Sequence, residues 1–163
     1  MARILARFSD ADIEALLTEA RADDPLVRSE LGRVLRGRRD RILRRWLLRL
    51  SSLTEPALET RGAKQWLCLR DRAEEAGLGA APDPWAAAWS NPVQAVRTGV
   101  ERQQFGICAE VPQDAPGYQV IDVYTGRKGQ GPVRVHLRSG QVVALQRPEE
   151  QSPPPDLPLE ARR

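Results

Sequence analysis

Along the first hundred residues apolar positions recur at helical spacing, and after Tyr118 they switch to alternation. Ser9 followed by Asp12 makes a capping box, since hydroxyl and carboxylate can each take a free amide at a helix start. Ile13, Leu16, Leu17 and Ala20 then repeat every three or four residues, which predicts a helix from about Asp10 to Ala22. Pro25 suits a first helical position, and Leu31, Val34, Leu35, Ile42, Leu43, Trp46, Leu47 and Leu50 continue an apolar stripe to Ser51. RGRRDR, residues 36 to 41, interrupts that stripe at Gly37, so the segment reads as one long helix with a polar turn or as two helices meeting at the glycine.

Thr54, Glu55 and Pro56 look like another helix start, followed by Leu58, Ala63, Trp66, Leu67, Leu69 and Ala73 up to Gly77. Residues 77 to 83 read as a linker. Asp83-Pro84 and Asn91-Pro92 each place a capping residue before a proline, predicting a short turn with Trp85 and Trp89 and then a helix carrying Val93, Val96 and Val100. From Tyr118 the segments YQVIDVYT, PVRVHLRS and QVVALQR, divided by glycine-containing turns, read as strands. In the middle one Val133, Val135 and Leu137 alternate with Arg134, His136 and Arg138, giving an apolar face and a basic face. The prediction is therefore an α+β fold. It has an N-terminal bundle of four to five helices over residues 1–106, a small three-stranded antiparallel β-meander over 107–148, and a disordered Pro-rich tail over 149–163.

Charge changes this picture at one place. Nine arginines lie between Arg28 and Arg49 with only Glu30 and Asp40 among them, so that segment is strongly cationic while the rest of a chain of net charge +3 is slightly acidic. On a helix Arg38, Arg41, Arg45 and Arg49 fall at spacings of three and four and form one stripe, flanked by Arg33, Arg36 and Arg44. Such a stripe suits a phosphate backbone, and the strand face of Arg134, His136 and Arg138 could extend it. The competing expectation is that arginine stems cover apolar surface while their heads pair with acids of neighbouring helices, Glu14, Glu19, Glu59, Glu74 or Glu75. The loop GRKGQG, residues 126 to 131, offers three glycines and the cations Arg127 and Lys128, the ingredients of a backbone nest for a phosphate, although its glycine order is not that of a dinucleotide site.

Catalytic chemistry is narrowed by scarcity. His136 is the only histidine, which excludes multi-histidine metal sites, and neither Lys64 nor Lys128 stands in a P-loop or a D/E-x-K arrangement. Cys68 and Cys108 lie forty residues apart with no C-x-x-C or Cys/His pattern, so the chain is expected to fold without disulfides in a reducing cytoplasm, with Cys108 a small buried hydrophobe and His136 an exposed strand residue. A Cys108/His136 thiolate–imidazolium pair is the one enzymatic alternative. Trp46, Trp66, Trp85 and Trp89 sit at apolar helical positions and read as core anchors rather than base-stacking platforms.

The N-terminus lacks an apolar run of signal-peptide length, and no stretch of 18 apolar residues could span a bilayer. These features predict a cytoplasmic, non-enzymatic regulatory or accessory protein without cofactor or metal, working away from membranes. It binds an anionic partner, most readily nucleic acid, through the arginine helix. The alternative is a protein–protein adaptor docking on an acidic protein surface, with the tail's PPPDLP as an extended ligand.

Overall fold

The computed structural model describes residues 2–89, 94–113 and 117–148, and the tail predicted for 149–163 lies outside them. The chain opens with a single helical turn, α1 (Ala2–Leu5), then α2 (Asp10–Glu19) and α3 (Pro25–Leu47). The capping box at α2 is present in both directions: the Ser9 amide donates to Asp12 Oδ2 at 2.7 Å and the Asp12 amide to Ser9 Oγ at 3.1 Å. Asp24 caps α3 by accepting from the amides of Leu26 and Val27, with Pro25 in the first turn. α3 runs unbroken through Gly37, while Gly32 is the glycine that α2 uses: a Cβ there would stand 3.3 Å from Leu17 Cδ1.

Beyond α3 the expectation of further long helices is overturned, because the described residues from 53 onward are mostly β; the predicted helix start at Asn91-Pro92 lies outside them. It forms β1 (Leu53–Arg61), β2 (Lys64–Asp71), the single-turn α4 (Arg72–Glu75), β3 (Trp85–Trp89), β4 (Ala95–Thr98), β5 (Val100–Gln103), β6 (Gly106–Val111), β7 (Tyr118–Tyr124), β8 (Val133–Arg138) and β9 (Gln141–Gln146). Two antiparallel sheets result, one ordered β1-β2-β6-β5 and the other β4-β3-β7-β8-β9. The helix bundle with a three-stranded meander is thereby replaced by a four-stranded and a five-stranded sheet carrying two helices longer than a turn.

Pro56, read as a helix start, lies at a bulge of β1 where the register shifts between Thr54 and Ala57 and Glu55 takes φ 52°, a place where a missing amide does no harm. Gly62, at φ 60°, closes the hairpin to β2. In WAAAW the helix-forming alanines instead put Ala86 and Ala88 into the core between the sheets, so packing overrides propensity.

The two sheets face each other across one core. Leu53, Leu67, Leu69, Ile107, Ala109 and Val111 of the first meet Ala86, Ala88, Ile121, Val123, Val133, Val135 and Leu137 of the second. At one side β4 passes through Gly99 directly into β5, so the chain crosses from sheet to sheet without leaving the sandwich. At the other side β9 lies beside β1, and Arg147 Nη2 donates to the Leu53 carbonyl at 2.8 Å. A smaller cluster attaches the helices: Leu43 and Leu47 of α3 pack with Ala73 of α4, bordered by Leu5, Ala6, Leu48, Ala76 and Leu78.

The two cysteines, expected to be unpaired, form a disulfide. Cys68 and Cys108 stand directly opposite each other on β2 and β6, so strand register brings together what forty residues of sequence separate. Replacing both (Cys68→Ala with Cys108→Ala) is expected to lower the unfolding free energy by about 4 kcal/mol, the loop-closure entropy for a loop of this size. Denaturant titration of the two proteins under oxidising conditions checks this, and coincident curves would show that sheet pairing alone holds β2 against β6.

Candidate functional site

α3 carries the arginines, and the short α2 beside it decides which of them are free. Arg28 and Arg36 both reach Glu14, at 3.5 and 2.7 Å, and the Arg36 hydrogen bond holds the Glu14 carboxyl below its ordinary range. Arg39 bridges Asp10 and Asp40, each at 2.8 Å, and donates to the Phe8 carbonyl. Arg33 pairs with Glu30 one turn back. The remaining five, Arg38, Arg41, Arg44, Arg45 and Arg49, are exposed and have no ion pair among the described residues; the Arg45 guanidinium lies 5.8 Å from the Trp46 ring. The stripe Arg38–Arg41–Arg45 thus spans about 11 Å of α3, one cation nearly every turn, and Arg49 follows in the turn just beyond the helix end at Leu47.

The apolar residues of α3 divide as sharply. Only Leu43 and Leu47, with Gly32, are buried. Leu31, Leu35, Ile42 and Trp46 are 43, 39, 37 and 47 % exposed, and by helical geometry they share the outward side with the stripe. Trp46 is therefore not the core anchor expected of it, whereas Trp66 and Trp89 are buried and Trp85 stacks on Tyr124 with Arg97 over its other side. The apolar stripe read from the sequence, interrupted at residues 36 to 41, stays largely uncovered, because α2 buries only Ile13 and Leu17.

In the loop between β7 and β8, Arg127 is not free to line a phosphate nest as the composition suggested. Arg127 points inward, donating to the buried Asp71 carboxylate at 2.8 Å, to Ser52 Oγ at 2.9 Å and to the Gly79 carbonyl at 2.6 Å. Asp71 also accepts from Ser52 Oγ at 2.6 Å and from the Ala73 amide, which caps α4. Gln130 Nε2 donates to the carbonyls of Leu47 and Leu50 at 2.7 and 3.0 Å, closing the end of α3, while Gln130 Oε1 accepts from Thr125. Gly126 is required where it stands, at φ 72°, because a Cβ would collide with the Asp83 backbone. Lys128 stays exposed.

The strand face that was to extend the basic surface is interior. Arg134, 2 % exposed, makes a two-pronged bond to Asp122, both contacts at 2.8 Å, and Trp89 Nε1 donates to the same carboxylate. His136 is buried, not exposed, with Nδ1 2.6 Å from Tyr118 Oη; Arg138 alone of the three is at the surface. Asp122, an acid inside the apolar run YQVIDVY and in register with Arg134, was the sequence signal for this pairing. Burial pushes the Tyr124 phenol up to about 12, with Asp122 adding to the shift. Cys108, whose sulfur is bonded to Cys68, lies in the sheet that does not contain His136, so the thiolate–imidazolium pair does not form. Among the described residues no three His, Cys, Asp or Glu side chains gather as a metal ion would require, and no helix is long and apolar enough to cross a membrane.

Comparison with protein families, with curated proteins and with solved structures gives no match. The candidate site is the cationic and apolar outer side of α3, whose end meets the β7–β8 loop.

Burial holds the His136 pKa below its ordinary value, Arg134 adding to the effect and Gln146 opposing it. Between the lowered folded value and the ordinary one near 6.5 the unfolded chain binds more protons, so the stability this neutral ring contributes is complete above that window and is lost as pH falls through it. Unfolding followed from about pH 7 to pH 5 should therefore show a steeper loss of stability in the wild type than in His136→Gln. Parallel pH profiles would mean the ring titrates as readily folded as unfolded.

Proposed function

We propose that the protein is a non-enzymatic accessory or regulatory protein that binds nucleic acid along the outer side of α3, with Arg38, Arg41, Arg45 and Arg49 as its backbone contacts and Arg44 beside them. The observation that carries this reading is the division of the nine arginines. If they served only to brace the helix through ion pairs, acids would be expected beside most of them. Four have such partners, and the five that lack them among the described residues include the whole stripe. A linear array of solvated guanidinium groups gains free energy on a polyanion chiefly by releasing condensed counterions, so affinity should fall steeply with salt. Arg127, Arg134 and His136 take no part, being held inside by Asp71, Asp122 and Tyr118.

A second reading, docking on an acidic protein surface, is favoured by Leu31, Leu35, Ile42 and Trp46. Large apolar side chains exposed together gain little from a phosphate backbone but would fill a groove rimmed by carboxylates.

Fluorescence anisotropy of labelled DNA and RNA across a salt series separates the two. The wild type is expected to bind with a steep slope, and Arg41→Glu combined with Arg45→Glu should lower that slope by about 2, roughly 0.9 for each duplex phosphate no longer neutralised, with helicity by circular dichroism unchanged. Equal binding by the double variant rejects the stripe as the contact. No binding by wild type even at low salt favours the protein surface.

A further inference from the structure

The arginine helix and the glycine loop, far apart in sequence, meet at a cleft. Its walls are Arg49, Leu50 and Ser51 from the turn that follows α3, Gly129, Gly131 and Pro132 from the β7–β8 loop, and Arg147 and Pro148 after β9. Among the described residues two guanidinium-bearing side chains line it and no acid does. A helix C-terminus ordinarily repels anions through its unpaired carbonyls, but here Gln130 takes those of Leu47 and Leu50. Gly129 and Gly131 leave their backbone uncovered by side chains. Ser51, only 6 % exposed, carries a hydroxyl with no hydrogen-bond partner among the described residues, and a buried donor left in that state is destabilising unless something accepts from it. The cleft, about 200 Å3, is smaller than the 300–1,000 Å3 of sites for drug-sized molecules. It has room for a tetrahedral oxyanion.

We propose that this cleft binds a single phosphate group, held by Arg49, the Ser51 hydroxyl and the backbone of Gly129 to Gly131, with Arg147 contributing charge. Arg147 remains tied to the Leu53 carbonyl and acts from a fixed position. The proposal deepens the nucleic-acid reading, since Arg49 is the last member of the α3 stripe and the phosphate would sit where the stripe ends. The same chemistry is offered by free inorganic phosphate and by a phosphate at the end of a strand.

The test is titration of the full chain with inorganic phosphate at constant ionic strength, chloride replacing it in the control, followed through the backbone amide resonances of Ser51, Gly129 and Gly131. Saturable shifts of these three amides are expected, weakened about tenfold by Arg49→Ala, which removes one charge-assisted hydrogen bond. Ser51→Ala should also weaken them. If the Ser51 hydroxyl were only a packing defect, that variant would gain stability and leave phosphate affinity unchanged. The Arg41→Glu/Arg45→Glu variant should bind inorganic phosphate like the wild type, so loss of strand binding in it and loss of phosphate binding in Arg49→Ala report on the two readings separately. Competition by a short oligonucleotide bearing a terminal phosphate, and not by its unphosphorylated twin, would assign the phosphate to a strand end; competition by neither would assign it to the free ion. Shifts that do not saturate, that match those in chloride, or that survive Arg49→Ala unchanged would overturn the proposal.

Discussion

Asp71 is fully buried where β2 turns into α4, and its carboxylate gathers Ser52 from just before β1, the Ala73 amide of α4 and Arg127 from the loop between β7 and β8. A lone carboxylate in that position would be strongly destabilising, and the guanidinium that offsets it has to come from the opposite sheet. The pair therefore fixes the loop against the first sheet. Once Arg127 is seated, Gln130 three residues later lies under the end of α3 and bonds the carbonyls of Leu47, its last residue, and of Leu50 just beyond it. The direction in which α3 leaves the sandwich, and the wall that its end shares with the glycine loop, follow from this one buried contact together with the small Leu43, Leu47 and Ala73 cluster.

The helix so positioned has two chemically distinct sides. Toward α2 its arginines are taken up by Glu14, Asp10 and Asp40, which hold a thin helical layer together where few apolar groups are available. Exposed pairs of this kind contribute little each, so their main effect is to fix which way α3 is rotated. That rotation leaves Arg38, Arg41, Arg45 and Arg49 outward, beside Leu31, Leu35, Ile42 and Trp46. The second buried pair, Asp122 with Arg134, plays a comparable part in the other sheet, where Trp89 closes over it.

How much of this was legible in the sequence depended on whether an element carries a local start signal or a clean alternation of apolar and polar residue types. α2 and α3 were readable because Ser9, Asp12, Asp24 and Pro25 mark their starts in local chemistry, and the strand at Val133 because its inward residues alternate cleanly. β2 and β6 hid, since WLCLRD and GICAEV are buried on both faces and lose the period that separates strand from helix. β3 hid behind alanine's helix propensity, and β1 behind a Thr-Glu-Pro that imitates a helix start. The spacing of the arginine stripe was plain, but which arginines are paired required the placement of Glu14 and Asp10. The basic face on β8 failed for a related reason: alternation shows which residues leave the core and is silent on whether Asp122 waits to receive them. The disulfide lay in strand register, which two isolated cysteines do not announce.

Hydrogen exchange of the Arg127→Met variant tests most directly whether the buried pair organises the site. If Asp71 and Arg127 hold loop and helix as one unit, amides at 129–131 and those from Leu47 to Ser52 should lose protection together, while the core of the two sheets keeps its own. Loss confined to the loop, with the end of α3 exchanging as in the wild type, would contradict it and leave the position of the arginine helix to its packing alone.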